Sequence, residues 1–145
     1  DLAKKNECEL ILPSDVITAN KLEHGSESKE FDIGEVPQDK MIFDIGEKSI
    51  SYLISKIKLS KSLLWNGPLG AFEFEPFDFS TMKISREVAA LTSQNKLLSV
   101  AGGGDTVAAL TKAKIESEFS YLSTAGGAFL EWLEGKELPG IMALK

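Results

Sequence analysis

The chain has 145 residues, of which 43% are hydrophobic and 26% are charged, and its formal net charge is -6. The apolar share can fill the core of one ordinary domain, so the composition excludes a disordered chain. The acidic balance disfavours a nucleic-acid partner, and no apolar run approaches the roughly 18 residues that cross a bilayer. One cysteine and one histidine are too few for a structural zinc site. We expect a soluble, unexported protein of the cytoplasm.

Short apolar runs without clean alternation predict strands that are covered on both faces. In chain order these runs are residues 9–12, 15–19, 62–65, 97–101 and 119–123. Between them, apolar residues recur at helical spacing in 50–57, 84–91 and 129–133. The alternation of strands with one-sided helices predicts an α/β fold, a Rossmann-like and mostly parallel sheet with helices on both faces.

Several single residues predict where these elements begin and end. Ser80 is a candidate N-cap, and Gly135 is a candidate C′ glycine after the last helical period. Residues 44–46, Asp-Ile-Gly, predict an Asx-type turn at the start of a helix. Trp65 and Trp132 adjoin apolar periods, and we expect both in the core.

Seven of the 12 glycines lie in three loops that follow predicted strands, at 67–70, 102–104 and 126–127. Glycine allows a ligand to approach backbone amides without a Cβ in the way. The second and third loops lead into helices, whose first N–H groups lack internal partners and carry the positive end of the helix dipole. The three loops therefore predict an anion site, able to hold a polyphosphate on a chain of acidic overall charge.

The loop at 102–106 also has a purely structural interpretation, a tight turn with Asp105 as the helix N-cap. In the functional interpretation the glycine amides and Thr106 donate to phosphates, and Asp105 binds the Mg²⁺ that accompanies a nucleotide. The run matches neither GxGxxG nor the Walker phosphate loop.

The other two loops leave the same choice open. Pro68 and its neighbouring glycines can form a β-turn, or Asn66 can donate to phosphate oxygens while Glu73 accepts ribose hydroxyls. Residues 124–127 can form a turn or an anion-binding helix start.

Four segments resemble phosphoglycerate kinase in this order and at similar spacing: 64–73 (LWNGPLGAFE), 102–106 (GGGDT), 123–128 (STAGGA) and 133–140 (LEGKELPG). Residues 12–16 and 44–46 resemble the same family. The resemblance extends over essentially the whole chain but only the carboxyl-terminal part of the family's length. It implies that residues 1–145 are a partial nucleotide-binding domain and that the amino-terminal substrate domain is absent.

The resemblance implies reversible phosphoryl transfer between 1,3-bisphosphoglycerate and Mg-ADP, giving 3-phosphoglycerate and ATP in glycolysis. The implied nucleotide-binding residues are Asn66, Pro68, Gly70, Glu73, Gly103, Gly104, Asp105 and Thr106, with Asp105 also holding Mg²⁺. The implied catalytic residues are Gly126 and Gly127, at a helix whose amides face the transferred phosphoryl group. The implied partners of a monomeric parent are the nucleotide and, through the missing domain, 3-phosphoglycerate, with no nucleic acid or membrane.

The chain also departs from the family pattern. The substrate-binding arginine and histidines and the phosphate-contacting lysines have no counterpart here, so we expect the chain alone to be inactive. Ala125 stands where the family usually has glycine. The alternatives are a stand-alone, non-catalytic nucleotide- or phosphate-binding α/β module, and a structural domain whose glycines only make turns.

Overall fold

Two three-stranded sheets organise residues 2–144, the part of the chain that the computed structural model describes. Strands β1 (Asp15–Ala19), β2 (Lys29–Asp32) and β3 (Met41–Ile45) form an antiparallel sheet in the order β2-β1-β3. Strands β4 (Ser62–Asn66), β5 (Leu98–Gly102) and β6 (Tyr121–Ser123) form a parallel sheet in the order β4-β5-β6.

Four helices alternate with the strands of the parallel sheet, as the sequence pattern predicts: α2 (Glu47–Leu59), α3 (Phe79–Ser93), α4 (Gly104–Ala113) and α5 (Gly126–Leu133). Two short helices lie outside this alternation, α1 (Leu2–Lys5) before β1 and α6 (Pro139–Met142) after α5. Short 3-10 helices occupy Ile33–Glu35 and Glu116–Glu118. Within residues 2–144, no helix is long and apolar enough to span a membrane.

The main core lies between the parallel sheet and helices α2, α3 and α4. The helical spacing of α3 places Ile84, Val88 and Leu91 on one buried face. They pack with Ile50 of α2 and Leu110 of α4 against strand residues that include Ala101. This layered arrangement confirms the predicted α/β class with a parallel sheet.

Four of the five predicted strands are confirmed, as β1, β4, β5 and β6, and β6 starts two residues later than predicted. The strand predicted at 9–12 is wrong, because this segment bonds to no neighbouring strand and leaves Leu10 and Leu12 exposed. The sequence pattern also misses β2 and β3, so the antiparallel sheet is a finding of the structure. Strand β2, Lys-Glu-Phe-Asp, is mostly exposed and therefore lacks an apolar signal.

Two aspartates of the antiparallel sheet, far away in the sequence, accept hydrogen bonds from the first turns of α2 and α3. The Asp15 carboxylate accepts the backbone N–H groups of Lys48 and Ser49 at 2.8 Å each, and the Ser49 hydroxyl at 2.5 Å. The Asp44 carboxylate accepts the Ser80 amide at 3.1 Å and also the Ser80 hydroxyl. These bonds satisfy N–H groups in the first turns that the helices cannot satisfy themselves.

The predicted N-cap of α3 is therefore wrong, while the predicted start of α2 and one predicted helix end are confirmed. Ser80 is a donor within the first turn of α3, while Asp78 occupies the N-cap position. Residues 44–46 do lead into a helix, because Gly46 is the N-cap of α2. Asp44 itself accepts the neighbouring Ile45 amide at 2.8 Å, but it is a buried residue of β3 rather than the first residue of an Asx-type turn. Gly135 follows α5 with a φ of 80°, and its amide donates to Trp132 at 3.0 Å, as expected for a C′ glycine.

The pKa values of these two aspartates are shifted in opposite directions. For Asp15, burial opposes ionisation, but the hydrogen bonds from Ser49 and Lys48 outweigh it and hold the pKa below its ordinary value. For Asp44, burial is the largest influence and, with the nearby Asp78 charge, raises the pKa despite the Ser80 hydrogen bonds.

The two tryptophans differ. Trp65 is buried, as predicted, and its indole N–H donates to the Gly67 carbonyl at 2.6 Å. Trp132 is 57% exposed, so its predicted core position is wrong. Its ring stacks on Phe129 of the same helix instead, with ring centroids 6.2 Å apart.

Candidate functional site

The three glycine-bearing loops meet at one edge of the parallel sheet. Asn66, at the end of β4, is the register partner of Gly102 at the end of β5, and Gly102 pairs in turn with Ser123 at the end of β6. Because parallel strands place their carboxyl ends on the same side, the loops that follow begin next to one another. The three loops are therefore neighbours, as the strand and loop pattern predicts.

The second and third loops touch through their backbones. A Cβ atom on Gly126 would lie 2.5 Å from the Gly103 nitrogen and 2.7 Å from the Gly103 Cα. It would also lie 2.9 Å from Oδ1 of Asn66. Only glycine fits at position 126, and all three loops contribute atoms around it.

Two helices begin at this contact without side-chain caps. The N-cap of α4 is Gly103, with a φ of 93°, and the N-cap of α5 is Ala125, with a φ of -97°. Because Ala125 has negative φ, this position does not require the glycine that the family pattern would place there. The first amides of each helix lack intrahelical acceptors and carry partial positive charge. The site therefore offers two adjacent helix starts to an anion.

Asp105 is not the N-cap of α4, so the structural interpretation of this residue is wrong. It lies in the first turn of the helix, one residue after Gly104, and it is exposed. Gly104 is exposed as well, and an added Cβ there would meet no atom within 4 Å. An exposed carboxylate beside unpaired amides can bind a divalent cation that bridges to phosphate oxygens.

Two of the predicted phosphate donors hold the loops together. The Thr106 hydroxyl is buried and accepts the Gly67 amide at 2.8 Å, which joins the first loop to α4. The Gly103 amide donates to the Ser123 carbonyl at 3.0 Å, which joins the second loop to the third. The exposed Asn66 side chain lies beside the second and third loops, with Oδ1 3.5 Å from where a Cβ on Gly103 would stand and 2.9 Å from where one on Gly126 would.

The long connection from β4 to α3 carries the remaining predicted residues. Pro68 is half-buried, and Gly70 has a φ of 60° and packs so closely on Asp44 and the Phe77 carbonyl that a Cβ would collide with both. Gly70 therefore joins this connection to the antiparallel sheet. Glu73 is exposed, three residues further along.

One link between α4 and the β4–α3 connection is not predicted by the sequence. The Lys112 ammonium group, on α4, donates to the Phe72 carbonyl at 2.9 Å and pairs with an Asp78 carboxylate oxygen at 2.9 Å. Lys112 lies seven residues after Asp105 on the same face of α4. Both of its partners are far away in the sequence, so no local pattern predicts these bonds.

Comparisons with known proteins identify the family. The family model of phosphoglycerate kinase matches residues 1–136. The chain is 52% identical over 143 residues to a protein of Zymomonas mobilis named phosphoglycerate kinase, covering 99% of this chain and 36% of that protein. A phosphoglycerate kinase of a Chelativorans species is 53% identical over 138 residues, with 95% of this chain and 35% of that protein covered.

Solved structures agree. The structure of phosphoglycerate kinase from Coxiella burnetii matches with a TM-score of 0.85 and 39% identity, over 99% of this chain and 36% of that chain. The enzyme from Pyrococcus horikoshii matches with a TM-score of 0.73 and 29% identity, over 91% and 31%. The chain thus spans about a third of the length of the relatives it matches. By its sequence and its fold, the chain belongs to the phosphoglycerate kinase family.

Proposed function

We propose that this chain forms the nucleotide-binding part of a phosphoglycerate kinase, which transfers a phosphoryl group reversibly between 1,3-bisphosphoglycerate and Mg-ADP in the glycolysis of the cytoplasm. The observation that carries the proposal is the meeting of two uncapped helix starts with the Asn66 side chain at the carboxyl edge of three parallel strands. Such an edge binds phosphates through backbone amides rather than through the overall charge of the protein.

The residues present fit a magnesium nucleotide. Mg²⁺ is commonly held in proteins by one or two carboxylates together with substrate phosphates and water, and Asp105 supplies an exposed carboxylate beside the amides of α4. When bound, the ion would neutralise phosphate charge. Glu73 would accept the ribose hydroxyls, while Pro68 and Gly70 shape the connection that carries it.

The start of α5 would act on the transferred group. The first amides of this helix, from Gly126 and Gly127, are oriented before any reaction, and preorganised donors stabilise charge that develops in a transition state. Positioning and charge stabilisation supply most of the catalysis of phosphoryl transfer.

The chain alone is expected to be inactive. It covers about a third of its relatives' length, and the family's substrate-binding cations have no counterpart in its motifs. A coupled assay with 3-phosphoglycerate and ATP should give no turnover above background. Measurable turnover by the chain alone would refute this part of the proposal.

Binding of ADP to the chain, titrated with and without Mg²⁺, tests the site directly. The wild-type chain should bind ADP more tightly when Mg²⁺ is present. Replacing Asp105 by asparagine keeps the shape but removes the charge, and it should weaken Mg-ADP binding about tenfold, or ~1.4 kcal/mol, while abolishing the effect of Mg²⁺.

The matched control is Asp39→Asn, an identical charge change at an exposed residue in the turn before β3. This variant should bind Mg-ADP like the wild type. A wild-type affinity that is independent of Mg²⁺, or equal losses in both variants, would contradict the assigned role of Asp105.

A further inference from the structure

One ammonium group ties the β4–α3 connection to helix α4. Nζ of Lys112 lies 2.9 Å from the Phe72 carbonyl oxygen and 2.9 Å from Oδ2 of Asp78. The Lys112 side chain is 35% exposed and the Asp78 side chain 13%. Charge-assisted hydrogen bonds at such shielded positions are stronger and less screened than ion pairs in open solvent.

The position of Lys112 and Phe72 along the chain determines which parts of the site this link joins. The Phe72 carbonyl belongs to the peptide whose nitrogen is that of Glu73. Lys112 lies two helical turns after Asp105, about 10 Å along the axis at 1.5 Å per residue. The ammonium group therefore connects the peptide carrying Glu73 with the helix whose start faces the phosphates.

The other anchors of this connection lie before Glu73 or attach to other elements. Gly67 is held by Thr106, and the Ala71 amide donates to the Phe43 carbonyl of β3 at 2.8 Å. Beyond Glu73, the Glu75 carbonyl accepts the Gly25 amide at 2.9 Å, from the loop between β1 and β2. The Lys112 bonds thus restrain the Glu73 peptide relative to α4 itself.

We propose that Lys112 is a positioning residue for the nucleoside part of the ligand. It fixes the Glu73 carboxylate at a set distance from the phosphate-binding start of α4, so it governs the affinity for ligands that carry a ribose and leaves the affinity for phosphates alone unchanged. The inference rests on the proposed function, because it assigns Glu73 to the ribose.

The test compares Mg-ADP with Mg-pyrophosphate, which has the phosphates but no ribose. Lys112→Met keeps an unbranched side chain of nearly the same length and removes both bonds. It should lower the affinity for Mg-ADP about tenfold, or ~1.4 kcal/mol, and leave the affinity for Mg-pyrophosphate within about twofold. In a Glu73→Gln background, Lys112→Met should have no further effect on Mg-ADP.

Lys58→Met is the matched control, because Lys58 also forms an ion pair, 2.9 Å from Glu87, but between α2 and α3. It should bind both ligands like the wild type. If Lys112→Met does not fold, Lys112→Gln carries the same comparison, because its shorter, uncharged side chain loses the ion pair with Asp78 and falls short of the Phe72 carbonyl.

The affinities for the two ligands distinguish a positioning role of Lys112 from a purely structural one. Equal losses for the two ligands would show that Lys112 only supports the fold, and unchanged affinity for Mg-ADP would show that it does not position Glu73; either overturns the inference alone. A wild-type chain that binds neither ligand overturns the proposed function and this inference with it.

Discussion

Replacing Gly126 by alanine should damage both the fold and the site, while the same change one residue later should spare the fold. An alanine Cβ at position 126 would lie 2.5 Å and 2.7 Å from the nitrogen and Cα of Gly103. These are backbone atoms at the start of α4, so they cannot rotate away as the end of a flexible side chain can. At Gly127, an added Cβ would meet no atom within 4 Å.

The size of the effect follows from the kind of collision. Overpacking at a tight contact costs about 1–3 kcal/mol of the free energy of unfolding. For 145 residues, the entropy of unfolding converts this loss into a fall of about 3–10 °C in the melting temperature. Gly127→Ala should leave the stability unchanged or raise it by up to about 1 kcal/mol, because alanine reduces the entropy of the unfolded chain.

Urea unfolding followed by circular dichroism measures the stability, and titration calorimetry measures the affinity for Mg-ADP. Gly126→Ala should also lose most of its nucleotide affinity, since relief of the collision separates the starts of α4 and α5. Equal unfolding midpoints and equal affinities for the two variants would refute the idea that this contact forms the site.

The remaining predictions concern pH and self-association. Folding lowers the pKa of Asp15, so its contribution to the free energy of unfolding is complete above about pH 5 and is lost as the pH falls through the native pKa. Asp15→Asn should lower the free energy of unfolding by about 2 kcal/mol at pH 7 and make its decrease in acid shallower. Folding raises the pKa of Asp44, so its contribution to the free energy of unfolding is present in acid and is lost as the pH rises through the native pKa. The difference in the free energy of unfolding between the wild type and Asp44→Asn should therefore be smaller at pH 7 than at pH 4. Urea midpoints across this range check both, and identical pH profiles for both variants and the wild type would contradict the two assignments. Strand β4 leaves one edge of the parallel sheet open within residues 2–144, and its Leu64 is 39% exposed. The chain should therefore self-associate, and Leu64→Lys should reduce the self-association measured by light scattering. A wild type that stays monomeric at every concentration would count against this prediction.

The sequence predicted the parallel sheet and the convergence of its loops because both depend on local signals. Strand and helix periods alternate from residue 62 onward, and parallel strands necessarily bring the loops after β4, β5 and β6 to one edge. The pairing of Asn66 with Gly102 follows from this topology. The chemical roles given to the loop residues stay predictions.

The features that the sequence did not predict depend on contacts between distant residues. The caps of α2 and α3 come from Asp15 and Asp44, which lie 34 and 36 positions from Ser49 and Ser80. No local pattern reports such a bond. Apolar character alone also failed for Trp132, because helix α5 leaves most of its apolar side chains in contact with solvent.

The antiparallel sheet has a consequence for how this chain can be shortened. Its aspartates complete the first turns of α2 and α3, and β3 also holds Ala71 and Gly70 in the connection that leads to Glu73. A truncated chain that starts at β4 would keep every glycine of the pocket but lose these supports. A shorter version of this chain that keeps these supports therefore has to begin before Asp15.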